Sequence, residues 1–167
     1  MQESIVRDPA LAPEGHKKID WAADHSPVLN TVRERYLEDG TFEGLGVGVA
    51  LPIEAKTAYL TVMLAEAGAD VAVASPGPFF VQDDVAAALA ERGVTVYASS
   101  QNNPDDADRE LERVLDRAAG DREAVLIDDR AGLVRLAHTT RRNMLGHIRG
   151  ASEETTSGVA KFRAMER

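Results

Sequence analysis

Short apolar runs of valine, isoleucine and alanine alternate with helix-period segments from residue 46 onward, and few architectures accommodate that alternation. Gly46-Val47-Gly48-Val49-Ala50-Leu51 reads as a buried strand. The segment 53–67 reads as the helix after it, with Ala55, Tyr59, Val62, Met63 and Glu66 at three- and four-residue spacing and Gly68 as its stop. Asp70-Val71-Ala72-Val73-Ala74-Ser75 is a second strand, followed by a proline-rich loop and a helix over 83–92 closed by Gly93. A third strand is expected over 94–99, then a polar loop and a charged amphipathic helix over 105–118. Ala124-Val125-Leu126-Ile127-Asp128 is a fourth strand, 133–138 a short helix, and 147–151 a fifth strand leading into a last helix. The stretch 14–36 is helical with a break near Pro27. Continuous apolar strands joined by helical crossovers predict an α/β fold with a doubly wound, mostly parallel sheet, a Rossmann-like or flavodoxin-like three-layer sandwich. No repeat or low-complexity tract interrupts the pattern, so residues 1–167 are read as one domain.

A chain of 167 residues with 44% hydrophobic content can bury a core without staples. The formal net charge of -9 sets nucleic acid and anionic membrane aside as partners, because an acidic surface repels phosphate. There is no cysteine, which excludes disulfides, thiolate metal ligands and a cysteine nucleophile. No apolar run approaches a membrane span, and residues 1–11 carry no hydrophobic block, so a cytoplasmic location is expected. His16, His25, His138 and His147 show no metal-ligand spacing, and no metal site is expected. Each reads as a cap or surface residue; His25, near Pro27, is the one histidine kept as a further candidate. The charged run 105–122 reads as a solvated helix face.

Ligands of such sheets bind beyond the carboxyl ends of the strands. That rule singles out five loops: 51–54, 75–83, 99–104, 128–132 and 153–157. A strand ending in Asp128-Asp129 is open to two readings. The carboxylates either face a ligand or cap the following helix, where aspartate is favoured.

The run Ile148-Arg149-Gly150-Ala151-Ser152-Glu153-Glu154-Thr155-Thr156-Ser157-Gly158-Val159 resembles the I-R-G-x-S-E-E-T-T-T-G-V segment of S-adenosyl-L-homocysteine hydrolase (adenosylhomocysteinase). Four further blocks match. They are Trp21-Ala22 with Pro27-Val28-Leu29, then Leu51-Pro52-Ile53-Glu54-Ala55-Lys56-Thr57-Ala58, the loop from Ser75 to Asp84, and Ile127-Asp128-Asp129. The resemblance covers 19–166 and, taken together, is specific to that family. It implies the family's N-terminal substrate-binding domain alone, with the NAD-binding domain missing. No G-x-G-x-x-G follows a strand, and Gly44-Leu45-Gly46-Val47-Gly48 has the wrong spacing and leads into a strand. No cofactor is therefore expected in this chain, although the family uses NAD. Alone, the chain is not expected to hydrolyse S-adenosylhomocysteine.

The departures fall on ligand-cleft positions. Pro52 stands where the resemblance implies a histidine, Pro76 and Gly77 replace polar residues, and Phe80 and Val81 replace a serine and a threonine. Arg130, Ala131 and Gly132 replace the glycine pair and acid that follow the second aspartate. What survives is Glu54, Lys56, Gln82, Asp129 and Glu154. The resemblance places Glu54 and Lys56 by the purine edge, and Asp129 and Glu154 as ribose-contacting, acid-base carboxylates. Two readings follow. In the first, the domain is a repurposed, NAD-independent small-molecule enzyme, of the kind found in natural-product biosynthesis. It would run cyclisation, isomerisation or elimination with Glu54, Asp129 and Glu154 as catalysts, and Lys56, Gln82, Pro52, Phe79, Phe80, Val81 and Thr155 would line the substrate. In the second, it is the domain of a split or truncated adenosylhomocysteinase that binds a nucleoside, or S-adenosylhomocysteine or S-inosylhomocysteine. Either way the expected partner is a small molecule, nucleoside-like or apolar, and the uncovered seam predicts a homo-oligomer.

Overall fold

The computed structural model describes residues 4–37 and 40–166. Five strands form one parallel sheet: β1 (Gly46–Ala50), β2 (Asp70–Ala74), β3 (Thr95–Tyr97), β4 (Ala124–Asp128) and β5 (Ile148–Glu153). Their order is β3-β2-β1-β4-β5. Helices α1 (Ala12–Asp24), α3 (Ala55–Glu66) and α4 (Asp83–Glu91) pack on one face, and α5 (Ala107–Ala119) and α6 (Gly132–His138) on the other. Helix α2 (Pro27–Tyr36) follows α1 after the break, with Pro27 in its first turn, where the missing N–H costs nothing. Helix α7 (Thr156–Met165) leaves the end of β5. This is the doubly wound α/β arrangement that the alternation predicts.

Successive strand residues face opposite sides, and here they differ in size. Val47, Val49, Val71, Val73 and Val96 join the core under α1, α3 and α4. Ala50, Ala72, Ala74 and Tyr97 face α5 and α6. The small side lets α5 approach closely. A Cβ on Gly46 would stand 1.9 Å from the Ala118 carbonyl oxygen, and one on Gly48 2.9 Å from a Leu126 methyl. Gly46 and Gly48 thus seat a helix against a strand.

The third strand is shorter than expected, Thr95–Tyr97. Its outer edge is taken by the N-terminal segment, where Ile5 donates to the Val96 carbonyl at 2.7 Å and accepts from Ala98 at 2.9 Å. Gly68 and Gly93 close α3 and α4 with φ of 100° and 85°, the left-handed stop that glycine tolerates. Among the described residues no helix is long and apolar enough to cross a membrane.

The strand order reverses direction between β1 and β4. Crossovers from β1 run towards β2, while β4 lies on β1's other flank. The crevice above those two carboxyl ends is where such a sheet holds ligands. The turns after β1, β4 and β5 meet there.

Candidate functional site

The turn after β1 is Leu51-Pro52-Ile53-Glu54. The loop between β2 and α4 fastens it from the side: Ile53 donates to the Phe80 carbonyl at 2.8 Å, and Gln82 donates back to Ile53 at 2.9 Å. Glu54 is the extended residue before α3, and its N–H is taken by the Thr57 hydroxyl at 3.2 Å. Its side chain closes the capping box by accepting from the Thr57 N–H, and it also meets Lys56, whose ammonium lies 3.0 Å away. The hydrogen bond to Lys56 and Glu54's charge raise the Lys56 pKa, with a further push from Glu154.

Beside this pair lies a cavity of about 300 Å³. Leu29, Leu51, Pro52 and Leu60 supply its apolar wall, and Glu54, Lys56 and Glu154 its charged groups. An adjoining groove of about 360 Å³ shares Glu54 and Lys56 and adds Trp21, His25 and Gln82. Gln82 accepts from Lys18 at 3.1 Å. The His25 ring stacks on Trp21 with centroids 4.1 Å apart, and its Nδ1 lies 2.8 Å from the Trp21 carbonyl.

The two aspartates at the end of β4 divide the two readings between them. Asp128 is fully buried and accepts from Leu133 at 3.1 Å and Val134 at 2.9 Å, which caps the start of α6. Burial pushes its carboxyl up to about 6. Asp129 is 7% exposed, and its Oδ1 has no hydrogen-bond partner. Burial raises its pKa first, and the charges of Glu154 and Glu153 raise it further. A carboxyl so placed is suited to holding or passing a proton.

Glu153, to which the sequence reading assigns no role, is the hub of this corner. Its Oε1 accepts from Arg130 N at 2.8 Å, from Thr155 N at 3.0 Å and from the Thr155 hydroxyl at 2.7 Å. Its Oε2 accepts from Ala131 N at 3.0 Å. Thr155 caps α7, its hydroxyl accepting from Gly158 N at 3.2 Å.

Of the sequence candidates, Pro52, Glu54, Lys56 and Glu154 share the cavity, Gln82 sits in the adjoining groove, and Asp129 is buried close to Glu154. Phe79 is 87% exposed and Phe80 44% exposed, on a tight turn that points them to solvent rather than into either hollow. Val81 packs against the core, and Thr155 is spent on its cap. Leu29 and Leu60 join the wall although the loop rule did not reach them. The turn after β1, where a doubly wound sheet cradles a dinucleotide's phosphates, carries no glycine, and Pro52 offers no N–H to a phosphate there. Among the described residues no group of three or more metal-ligating side chains is gathered.

Residues 3–143 match the family model described as S-adenosyl-L-homocysteine hydrolase. The chain is 44% identical over 162 residues to an S-inosyl-L-homocysteine hydrolase of Methanocaldococcus jannaschii, covering 97% of this chain and 38% of that protein. It is 44% identical over 162 residues to an adenosylhomocysteinase of Pyrococcus abyssi, covering 97% of this chain and 37% of that protein. A Thermotoga maritima adenosylhomocysteinase is 39% identical over 152 residues, with 91% and 37% covered. The chain thus spans under two-fifths of the length of the curated relatives it matches. By its matched length and these identities, the chain belongs to the S-adenosyl-L-homocysteine hydrolase family.

Proposed function

We propose that this chain is the nucleoside-recognising portion of a hydrolase acting on a homocysteine thioether of a purine nucleoside. Glu54 and Lys56 select the base, while Glu154 and Asp129 face the sugar. The observation that carries this reading is the Glu54–Lys56 pair at the mouth of a largely apolar cavity, with Glu154 across from it. A volume of about 300 Å³ is at the small end of small-molecule pockets and suits a flat base. An ammonium donor beside a carboxylate acceptor complements hypoxanthine, which offers an O6 acceptor and an N1–H donor. Adenine would set its amino group against the ammonium, donor against donor. Relatives of equal identity carry the inosyl and the adenosyl names, so overall similarity leaves the base open, and the pair supports hypoxanthine.

Calorimetric titration with inosine, adenosine and the homocysteine thioether of each tests this. The inosine compounds are expected to bind more tightly. A clear preference for adenosine overturns the base assignment, and binding of neither overturns the nucleoside reading.

A second reading is favoured by Pro52 in the cavity wall, which has no proton to give, and by the buried carboxyl of Asp129. Here Glu54, Asp129 and Glu154 serve an NAD-independent cyclisation, isomerisation or elimination. Turnover that survives unchanged when each of the three is made neutral ends that reading. On either reading the exposure of Trp21, Val28 and Phe79 supports assembly with further polypeptide, a second copy included; a native mass showing only monomer at micromolar concentration counts against a homo-oligomer.

A further inference from the structure

We infer that Glu153 is the positioning residue of the cleft, the group that sets Asp129 and Glu154 where they stand without touching a ligand itself. The inference deepens the nucleoside reading, on which it rests only for what the cleft holds.

Just past the end of β5 Glu154 lines the cavity, while Glu153 reaches towards the turn after β4. There one carboxylate gathers four donors: the N–H groups of Arg130, Ala131 and Thr155, and the Thr155 hydroxyl. Arg130 directly follows Asp129, and Thr155 directly follows Glu154. The peptide units next to both cleft carboxylates are therefore tied to the same two oxygens. Asp129 has no partner at Oδ1 and its side-chain hydrogen bond is to Thr155, so its place depends on Thr155 and on a backbone that are both anchored on Glu153.

The turn needs such an anchor. Arg130 and Ala131 have φ of 64° and 60°, two successive non-glycine residues in the left-handed region. That conformation aims consecutive N–H groups at one point, an arrangement suited to an anion. In this protein the anion is its own side chain. Two further contacts close the device. Lys161 donates to the Arg130 carbonyl at 3.0 Å. Gly158 leaves room for the Glu153 carboxyl, since a Cβ there would stand 2.1 Å from the carboxyl carbon.

Two variants separate reach from charge. Glu153→Gln keeps the length and loses the charge; Glu153→Asp keeps the charge and withdraws it by one methylene. Nucleoside affinity is read by calorimetry, folding by circular dichroism, and the Asp129 and Glu154 carboxyls by carbon-detected NMR titration. Both variants are expected to be folded and to lose at least about tenfold in affinity, since displacement of about an ångström is costly in a formed site. Both should also move the Asp129 titration down towards the ordinary carboxyl range. Wild-type affinity and titration in Glu153→Asp would overturn the inference. Should wild-type protein bind no nucleoside, the nucleoside reading fails by itself, and the Asp129 titration in Glu153→Asp still decides the role of Glu153. If the single variants do not fold, Arg130→Gly and Ala131→Gly are added to Glu153→Gln to remove the left-handed strain. The fold is then expected to return without the affinity; return of both would reduce Glu153 to a stabilising residue and overturn the inference.

Discussion

Gly158 lies so close to Glu153 that a Cβ on it would stand 2.1 Å from the Glu153 carboxyl carbon. Glycine in a helix ordinarily costs about 1 kcal/mol against alanine. In the first turn of α7 the sign reverses, because the methyl group would displace a carboxylate that holds four donors. Gly158→Ala is expected to destabilise the protein by about 1–3 kcal/mol, the range for overpacking. Urea denaturation checks it. A variant as stable as wild type would mean that the carboxylate can step aside freely.

Arg130 offers the opposite case. Its side chain is exposed and its φ is 64°. Left-handed backbone costs a non-glycine residue about 1–2 kcal/mol, and glycine gives back about half of that through the greater freedom of its unfolded chain. Arg130→Gly should therefore stabilise by about 0.5–1 kcal/mol. Ala131→Gly should gain little, because Ala131 is fully buried and loses a methyl contact worth about 0.8 kcal/mol. Melting temperatures of the two variants should separate in that order.

Much of the frame was legible because it rests on period and punctuation. Valine alternating with glycine or alanine in β1 and β2 marks both the strands and the side on which α5 sits close. Gly68 and Gly93 mark helix ends because few other residues tolerate the conformation. The capping reading of Asp128 was available from its position ahead of α6. The cleft was legible only in part. Glu54 and Glu154 lie just beyond strand ends and Lys56 in the first turn of α3, where topology gathers residues whatever their neighbours. Leu29 and Leu60 reach the cavity from helices, through tertiary packing that no local pattern encodes. Glu153 stayed hidden because its role depends on a left-handed turn made by Arg130 and Ala131, residues that give no sign of it. Phe79 and Phe80 read as pocket wall, but the tight turn begun by Pro78 turns them outward.

The buried carboxyls give a pH dependence with a definite sign. Burial, the largest cause, pushes Glu110 up to about 7, against the hydrogen bond from Asn102. Asp128 is pushed up to about 6. A carboxyl whose pKa is raised in the folded state holds its proton more tightly there than in the unfolded chain. Its stabilising effect is full below the ordinary carboxyl value and is lost as pH rises through the folded value. Stability should therefore fall between about pH 4 and about pH 7 through these two groups. Glu110→Gln should flatten the upper part of that slope, as read by denaturation midpoints across the range. An unchanged slope in the variant would remove Glu110 as its source.

Lys56 separates binding from stability. Its side chain is 75% exposed, and its pair with Glu54 sits at the cavity mouth. Exposed ion pairs contribute about 0–1 kcal/mol, so Lys56→Met should melt close to wild type. Binding is another matter, because a charged donor to a base oxygen contributes about 1.5–3 kcal/mol once water is displaced. Inosine affinity is expected to fall by about tenfold or more. Adenosine, which gains nothing from the ammonium, should be affected little or should improve. Parallel losses for both nucleosides would show that Lys56 supports the cavity without reading the base, and an unchanged inosine affinity would place the base elsewhere.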